Sequence, residues 1–173
     1  MSQLIGKIKT STAIAASCLW SINEQFNALI SAKWPVPGAR YWRLYFTDVQ
    51  TASYLLIGEI ELRSSLGGAN VASGKTIAAS SYYSYPPANA FDANVATWWE
   101  VYPTPINSWV SVDMGTNIQI KEYTIQVSTS YSAYGPKTWS LQLSLDNTNW
   151  YTVHTVTNAS AWSEVEKRTY NGF

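Results

Sequence analysis

Charge is scarce in this chain. Only 13% of its 173 residues are Asp, Glu, Lys or Arg, about half of the ~25% usual for a soluble domain. Eleven basic and eleven acidic residues cancel. The sequence carries no basic footprint for nucleic acid and no cationic stretch for an anionic bilayer, so neither partner is expected. Cysteine is nearly absent. The single Cys18 excludes an intrachain disulfide, and with it a disulfide-stapled scaffold. It has no companion at metal-ligand spacing, which argues against zinc. Histidine is equally rare. His154 is the only one, lies on an alternating apolar/polar segment and has no Ser or Cys nucleophile motif beside it. It reads as a structural strand residue rather than a general base. No Gly-rich loop is built to cradle phosphate; Gly67-Gly68 is a linker. No apolar run approaches the roughly 20 residues of a membrane span. Lys7 and Lys9 precede the short stretch "AIAASCL", which polar Ser17 interrupts, so no signal peptide is expected and synthesis ends in the cytoplasm. Together these absences point away from an enzyme.

Aromatic residues are abundant instead. Nine tryptophans and twelve tyrosines supply rings for a core and for a binding face alike. "RYWRLYFTDV" alternates Trp42, Leu44 and Phe46 with Arg43, Tyr45 and Thr47. "GEIELRS" alternates Ile60 and Leu62 with Glu59, Glu61 and Arg63; the two acids share a face, which reads as a solvated strand face, with a glycosidase carboxylate pair as the alternative. "SWVSVDMG" alternates Val110, Val112 and Met114 with Ser111 and Asp113. "KTWSLQLSL" sets Trp139, Leu141, Leu143 and Leu145 on one face. In "IQIKEYTIQV" the apolar parity changes between Ile120 and Tyr123, which predicts a bulge near Lys121-Glu122. "WYTVHTV" follows the turn "DNTN". Turn residues recur between the segments: Pro86-Pro87, Pro103, Pro105, Gly115, Gly135-Pro136. The expected fold is all-β, a sandwich or jelly roll.

Residues 1–38 differ. "SINEQFNALISAKW" opens with Ser21 and Glu24 at capping-box spacing. It places Ile22, Phe26, Leu29 and Ile30 on one helical stripe, and Pro35, Pro37 and Gly38 end it. Such a short helix buries its stripe only against another body. An arm over 1–38 and a β-domain over 39–173 are the expected units.

"PANAFDANVATWWE" packs polar oxygens into one tight loop. Asp92 and Thr97 offer side-chain oxygens, Ala90 and Asn94 main-chain carbonyls, and Trp99 pins the loop to the core. Ca²⁺ takes 6 to 8 such hard ligands. An Asx turn with no metal is the alternative. Tyrosines crowd three other loops: Tyr82, Tyr83 and Tyr85 in "SSYYSYPP", Tyr102 in "EVYPTP", and Tyr131 and Tyr134 in "STSYSAYGP". Their rings suit either sugar contact or packing against the rim and sister subunits.

"NAFDANVATWW" resembles the A-F-D-G-N-x-x-T-x-W signature of the discoidin, or coagulation factor V/VIII type C, domains. "SWVSVDMGTNIQIKEYTIQVS" is similar to their W-I-x-V-D-L-G strand and I-x-x-Y-x-I segment. "PKTWSLQLSLDNTNWYTV" is similar to their P-K-x-W-x-L hairpin. The resemblance runs over residues 40 to 173, with Ala93 where the signature has Gly. It implies a galactose-binding-like β-sandwich jelly roll, carbohydrate binding, and one structural Ca²⁺ beside the loop. "IGEIELR" resembles the segment whose first acid, here Glu59, completes the calcium shell. "LWSINEQFNALISAKWPV" is similar to a short element of tailed-phage structural proteins. That likeness implies a virion protein of the tail, fibre or baseplate, with other tail proteins, its own copies and a host-surface glycan as partners. A structural adaptor and a bacterial lectin module are the alternatives.

Overall fold

A computed structural model of the chain describes residue 36, residues 38–51 and residues 53–173. Cys18 and the stripe of Ile22, Phe26, Leu29 and Ile30 lie outside the described residues.

Ten strands, all paired antiparallel, make the described structure: β1 Ala39–Val49, β2 Leu55–Ile57, β3 Glu59–Arg63, β4 Thr76–Ala79, β5 Trp99–Val101, β6 Ser108–Ile118, β7 Glu122–Gln126, β8 Pro136–Ser144, β9 Tyr151–Val156 and β10 Lys167–Asn171. One sheet has the order β4-β6-β1-β8-β9, a second β10-β7-β3, and a short ribbon pairs β2 with β5. Two 3-10 turns, Pro87–Phe91 and Ser132–Tyr134, are the only helical elements among the described residues. This is the expected all-β sandwich.

Alternation decides which faces meet. Trp42, Leu44 and Phe46 of β1 are buried, as are Val110, Val112 and Met114 of β6, and Trp139, Leu141 and Leu143 of β8. β1 lies between β6 and β8, with Leu44 opposite both Val110 and Leu141, so one stripe crosses three strands. The second sheet answers with Ile60, Leu62, Tyr123 and Ile125, all buried. Side chains of this size contribute roughly 1.5–3 kcal/mol each when buried.

Three expectations need correction. No bulge lies at Lys121-Glu122. β6 ends at Ile118 and β7 begins at Glu122 in the other sheet, so the parity changes because the chain crosses between sheets. Leu145 does not continue the β8 stripe; the strand ends at Ser144 and Leu145 is exposed. Glu59 does not stand on a solvated face. It is only 4% exposed, because the Pro87–Phe91 turn covers the start of β3. Glu61, on the same face, pairs with Arg63 and Lys167.

Candidate functional site

The loop after the Pro87–Phe91 turn folds around Asp92. One carboxylate oxygen, Oδ1, accepts the Asn94 N–H at 2.9 Å. The other, Oδ2, lies 2.7 Å from the Thr97 hydroxyl, which also sits 2.8 Å from the Asn94 carbonyl. That hydroxyl has one hydrogen for two acceptors. The Thr97 N–H reaches the same carbonyl at 3.0 Å, and the Asn94 side chain accepts the Ala96 N–H at 3.1 Å. Trp99 is fully buried and fixes the end of the loop, donating Nε1–H to the Ser81 carbonyl at 3.0 Å.

Glu59 arrives from β3, far away in sequence. Its Oε2 accepts the Ala93 N–H at 3.0 Å. Burial pushes its carboxyl up to about 7; the Ala93 hydrogen bond opposes this, and the charges of Asp92 and Glu61 reinforce it. The bond requires the Ala93 amide to face β3, and Ala93 meets that need at φ +60. A β-carbon there is strained, so the left-handed conformation served by Gly in the related signature survives with Ala in its place. Ala90 is fully buried in the 3-10 turn.

The donor set fits a hard cation. Two carboxylates, a carbonyl and a hydroxyl are drawn to one loop, with fewer protons than lone pairs among them. Among the described residues no set of three His, Cys, Asp or Glu side chains converges. Neutral oxygens therefore have to supply the rest of any shell here.

A second assembly lies on the outer face of the β2–β5 ribbon. Leu56 is opposite Glu100 and Leu55 opposite Val101; one step further, Tyr54 meets Tyr102, with rings stacked at 4.4 Å. Trp98, Glu100 and Tyr102 share that face because side chains alternate along a strand. Rings then connect in series. Tyr83 meets Tyr102 edge-on at 5.2 Å, and Tyr54 meets Tyr134 at 5.1 Å. Tyr134 meets Tyr131 at 6.0 Å, Tyr131 meets Trp98 at 5.4 Å, and Trp98 meets Tyr85 at 4.5 Å. Five of the six tyrosines expected to bind ligand thus join one belt. Tyr82 is 58% exposed and has no ring neighbour among the described residues. Tyr83, Tyr85, Tyr102 and Tyr131 are exposed as well.

The family model for the F5/8 type C domain matches residues 76–172, more than half of the 173-residue chain. The chain belongs to the F5/8 type C domain family. No curated protein and no solved structure matches it. A type C, or discoidin, domain is broadly a module for binding carbohydrate or protein. The span matched to the type C domain contains Asp92, Asn94 and Thr97 and every belt residue except Tyr54. Glu59 and Tyr54 come from the β-strand region that precedes it.

Sequence reasoning missed three groups at the belt. Trp98 and Trp99 adjoin, and only alternation along β5 separates them, one outward and one inward. Tyr54 carries a signal only through its register with Tyr102. Glu100 stands in the "WWEVY" run with no sequence cue to its neighbours. His154 sits on β9 away from both assemblies. Trp139 Nε1–H donates to the Tyr123 oxygen at 3.1 Å, and the Tyr123 hydroxyl shares a hydrogen bond with His154 Nδ1 at 2.9 Å. Burial lowers the pKa of His154, and Phe173 stacks on its ring at 5.3 Å.

Proposed function

We propose that the protein is a non-enzymatic tailed-phage virion protein whose type C domain binds host-surface glycan through the aromatic belt, while residues 1–38 dock it to other tail components or to its own copies. The belt carries this reading. Flat rings on one face match the apolar faces of pyranose rings, and the hydroxyls of the exposed tyrosines serve the polar edges. The phage context draws support from the likeness of "LWSINEQFNALISAKWPV" to tail proteins, followed in order by the domain motifs.

Calcium belongs to the same proposal. Asp92, Thr97 and Glu59 side chains, with the Ala90 and Asn94 carbonyls, would hold one ion. When bound, it supplies charge compensation that ties β3 to the loop. Glu59 then stays ionised, Asp92 orients Thr97, and Ala93 keeps the loop against β3. At a hundredfold excess of Ca²⁺ over its dissociation constant, stability rises by about 2.7 kcal/mol. Melting curves with EDTA and with calcium added back check this. Asp92→Ala abolishes the response and His154→Ala keeps it; an EDTA-insensitive curve leaves the loop an Asx turn.

A glycan array with purified protein tests the binding function. Saturable binding that falls at least tenfold in Tyr102→Ala and Tyr131→Ala is expected. Its absence across host polysaccharides would sink the glycan reading and leave protein contacts as the role of the face. Incubation with the same polysaccharides should release no product.

A further inference from the structure

Glu100 is out of place in this setting. One oxygen of its carboxylate, Oε2, is buried with no hydrogen-bond partner. The Ser84 N–H favours the charged form of the carboxylate, and no cation pairs with it among the described residues. The surrounding groups are rings. Tyr54 and Tyr102 stack across the ribbon, Tyr83 closes on Tyr102, and Trp98, just before β5, lies two residues from Glu100 on the same face. The backbone of Glu100 is also clamped to the tyrosine loop. Its N–H donates to the Tyr85 carbonyl at 3.2 Å, and its carbonyl accepts the Tyr83 N–H at 2.9 Å. The position is therefore built, not a side chain in free solvent. Burial pushes the Glu100 carboxyl above its ordinary range. The Tyr54 phenol is raised too, chiefly by its own desolvation and then by the charges of Tyr102 and Glu100.

A negative charge beside a group of rings has a chemical consequence. Ring faces are the negative ends of the aromatic quadrupole and attract cations. The field of a carboxylate in a partly desolvated site is screened less than in water. Both attractions act on a cation resting on the rings, with no need for direct contact with the carboxylate. A neutral sugar has no charge for either attraction to act on and keeps only its apolar contact with the rings. An anionic sugar is repelled.

Resting on the glycan-binding reading, we propose that the belt selects glycans bearing a protonated amino group, with Tyr54, Tyr83, Tyr102 and Trp98 as the platform and the half-buried Glu100 as the counter-charge. The probes are a glucosamine tetrasaccharide and its fully N-acetylated counterpart, which differ in whether the nitrogen carries charge. Titration of the full chain at neutral pH and low salt, followed by tryptophan fluorescence, is expected to show the amino form binding at least tenfold more tightly. Glu100→Gln keeps the shape and removes the charge, so its preference should fall to within twofold. Its unchanged melting curve would show that the fold is intact. Tyr102→Ala should weaken both sugars.

Equal affinity for the two tetrasaccharides would overturn selection for the amino group and leave glycan binding standing. So would a preference that survives Glu100→Gln. Failure of both sugars to bind likewise overturns it, whereas the glycan reading then rests on the wider array. A preference abolished by 0.5 M salt in the wild type, and already absent in Glu100→Gln, would mark the charge as the origin.

Discussion

Ala93 bears a cost that one methyl group sets. At φ +60 an L residue with a β-carbon is disfavoured by roughly 1–2 kcal/mol, part of which Gly loses again through its freer unfolded chain. Ala93→Gly is therefore expected to raise the unfolding free energy by about 0.5–1 kcal/mol, read as a higher denaturant midpoint at unchanged slope. A lowered midpoint would show that the loop relaxes around alanine without strain. Two ionisable residues then shape the pH profile in opposite senses. Glu59 is pushed from 4.5 to about 7, so the folded state retains a proton the unfolded state has released. Metal-free stability should fall as pH rises from about 4.5 through 7, by up to about 3 kcal/mol. Glu59→Gln should remove that fall. His154 is lowered from 6.5, so its contribution is full above 6.5 and lost as pH drops below that value. His154→Asn should flatten the acid side while its amide, placed where Nδ1 stands, keeps the hydrogen bond with the Tyr123 hydroxyl. Unfolding curves of the two variants across pH 4 to 8 separate the effects, and a Glu59→Gln profile identical to wild type would refute the assignment.

Strands were legible in the sequence wherever one face is buried and the other is not. β1, β6 and β8 alternate almost without fault, because each lies inside the larger sheet with one side on the core. The β2–β5 ribbon was less legible. Both faces of Leu55–Ile57 are covered, so no alternation marks it, and Tyr54 could be placed only through its cross-strand partner. The buried state of Glu59 was equally hidden, since a turn distant in sequence covers it. At the same scale, Gly135 joins the Ser132–Tyr134 turn to β8. A β-carbon there would stand 2.4 Å from Cδ1 of Trp162. Trp162 has little room to yield. Its Nε1–H donates to the Pro136 carbonyl at 2.8 Å, and the Arg168 guanidinium lies 3.8 Å over its ring. The Gly135 carbonyl also accepts the Gln50 N–H at 3.0 Å, which resists movement of the backbone. Gly135→Ala should cost about 1–3 kcal/mol, the range for overpacking. Combined with Trp162→Leu it should cost clearly less than the two changes added, because they share one contact. Strict additivity in thermal melts would show that the clash is relieved elsewhere.

At the scale of the whole molecule, the domain and the arm make separable demands. The described core is closed by its own strands, and Val36 already belongs to it: buried, with its carbonyl accepting the Gln119 amide at 2.7 Å. A truncation that respects this contact ends at Trp34 rather than at Gly38. Ile22, Phe26, Leu29 and Ile30 are the groups removed. Four apolar side chains at roughly 1.5–3 kcal/mol each are enough to hold an assembly when buried against another chain, or to stabilise the domain when buried against it. These destinations give opposite results. If the stripe serves assembly, the protein without residues 1–34 keeps its melting temperature within a few degrees and elutes as a monomer. It also retains the calcium response and sugar preference of the full chain, but no longer joins particles. If the stripe serves the domain, the truncated protein melts far lower and exposes core tryptophan to solvent, visible as a red shift in emission. The anchoring role proposed for the arm stands only on the first result.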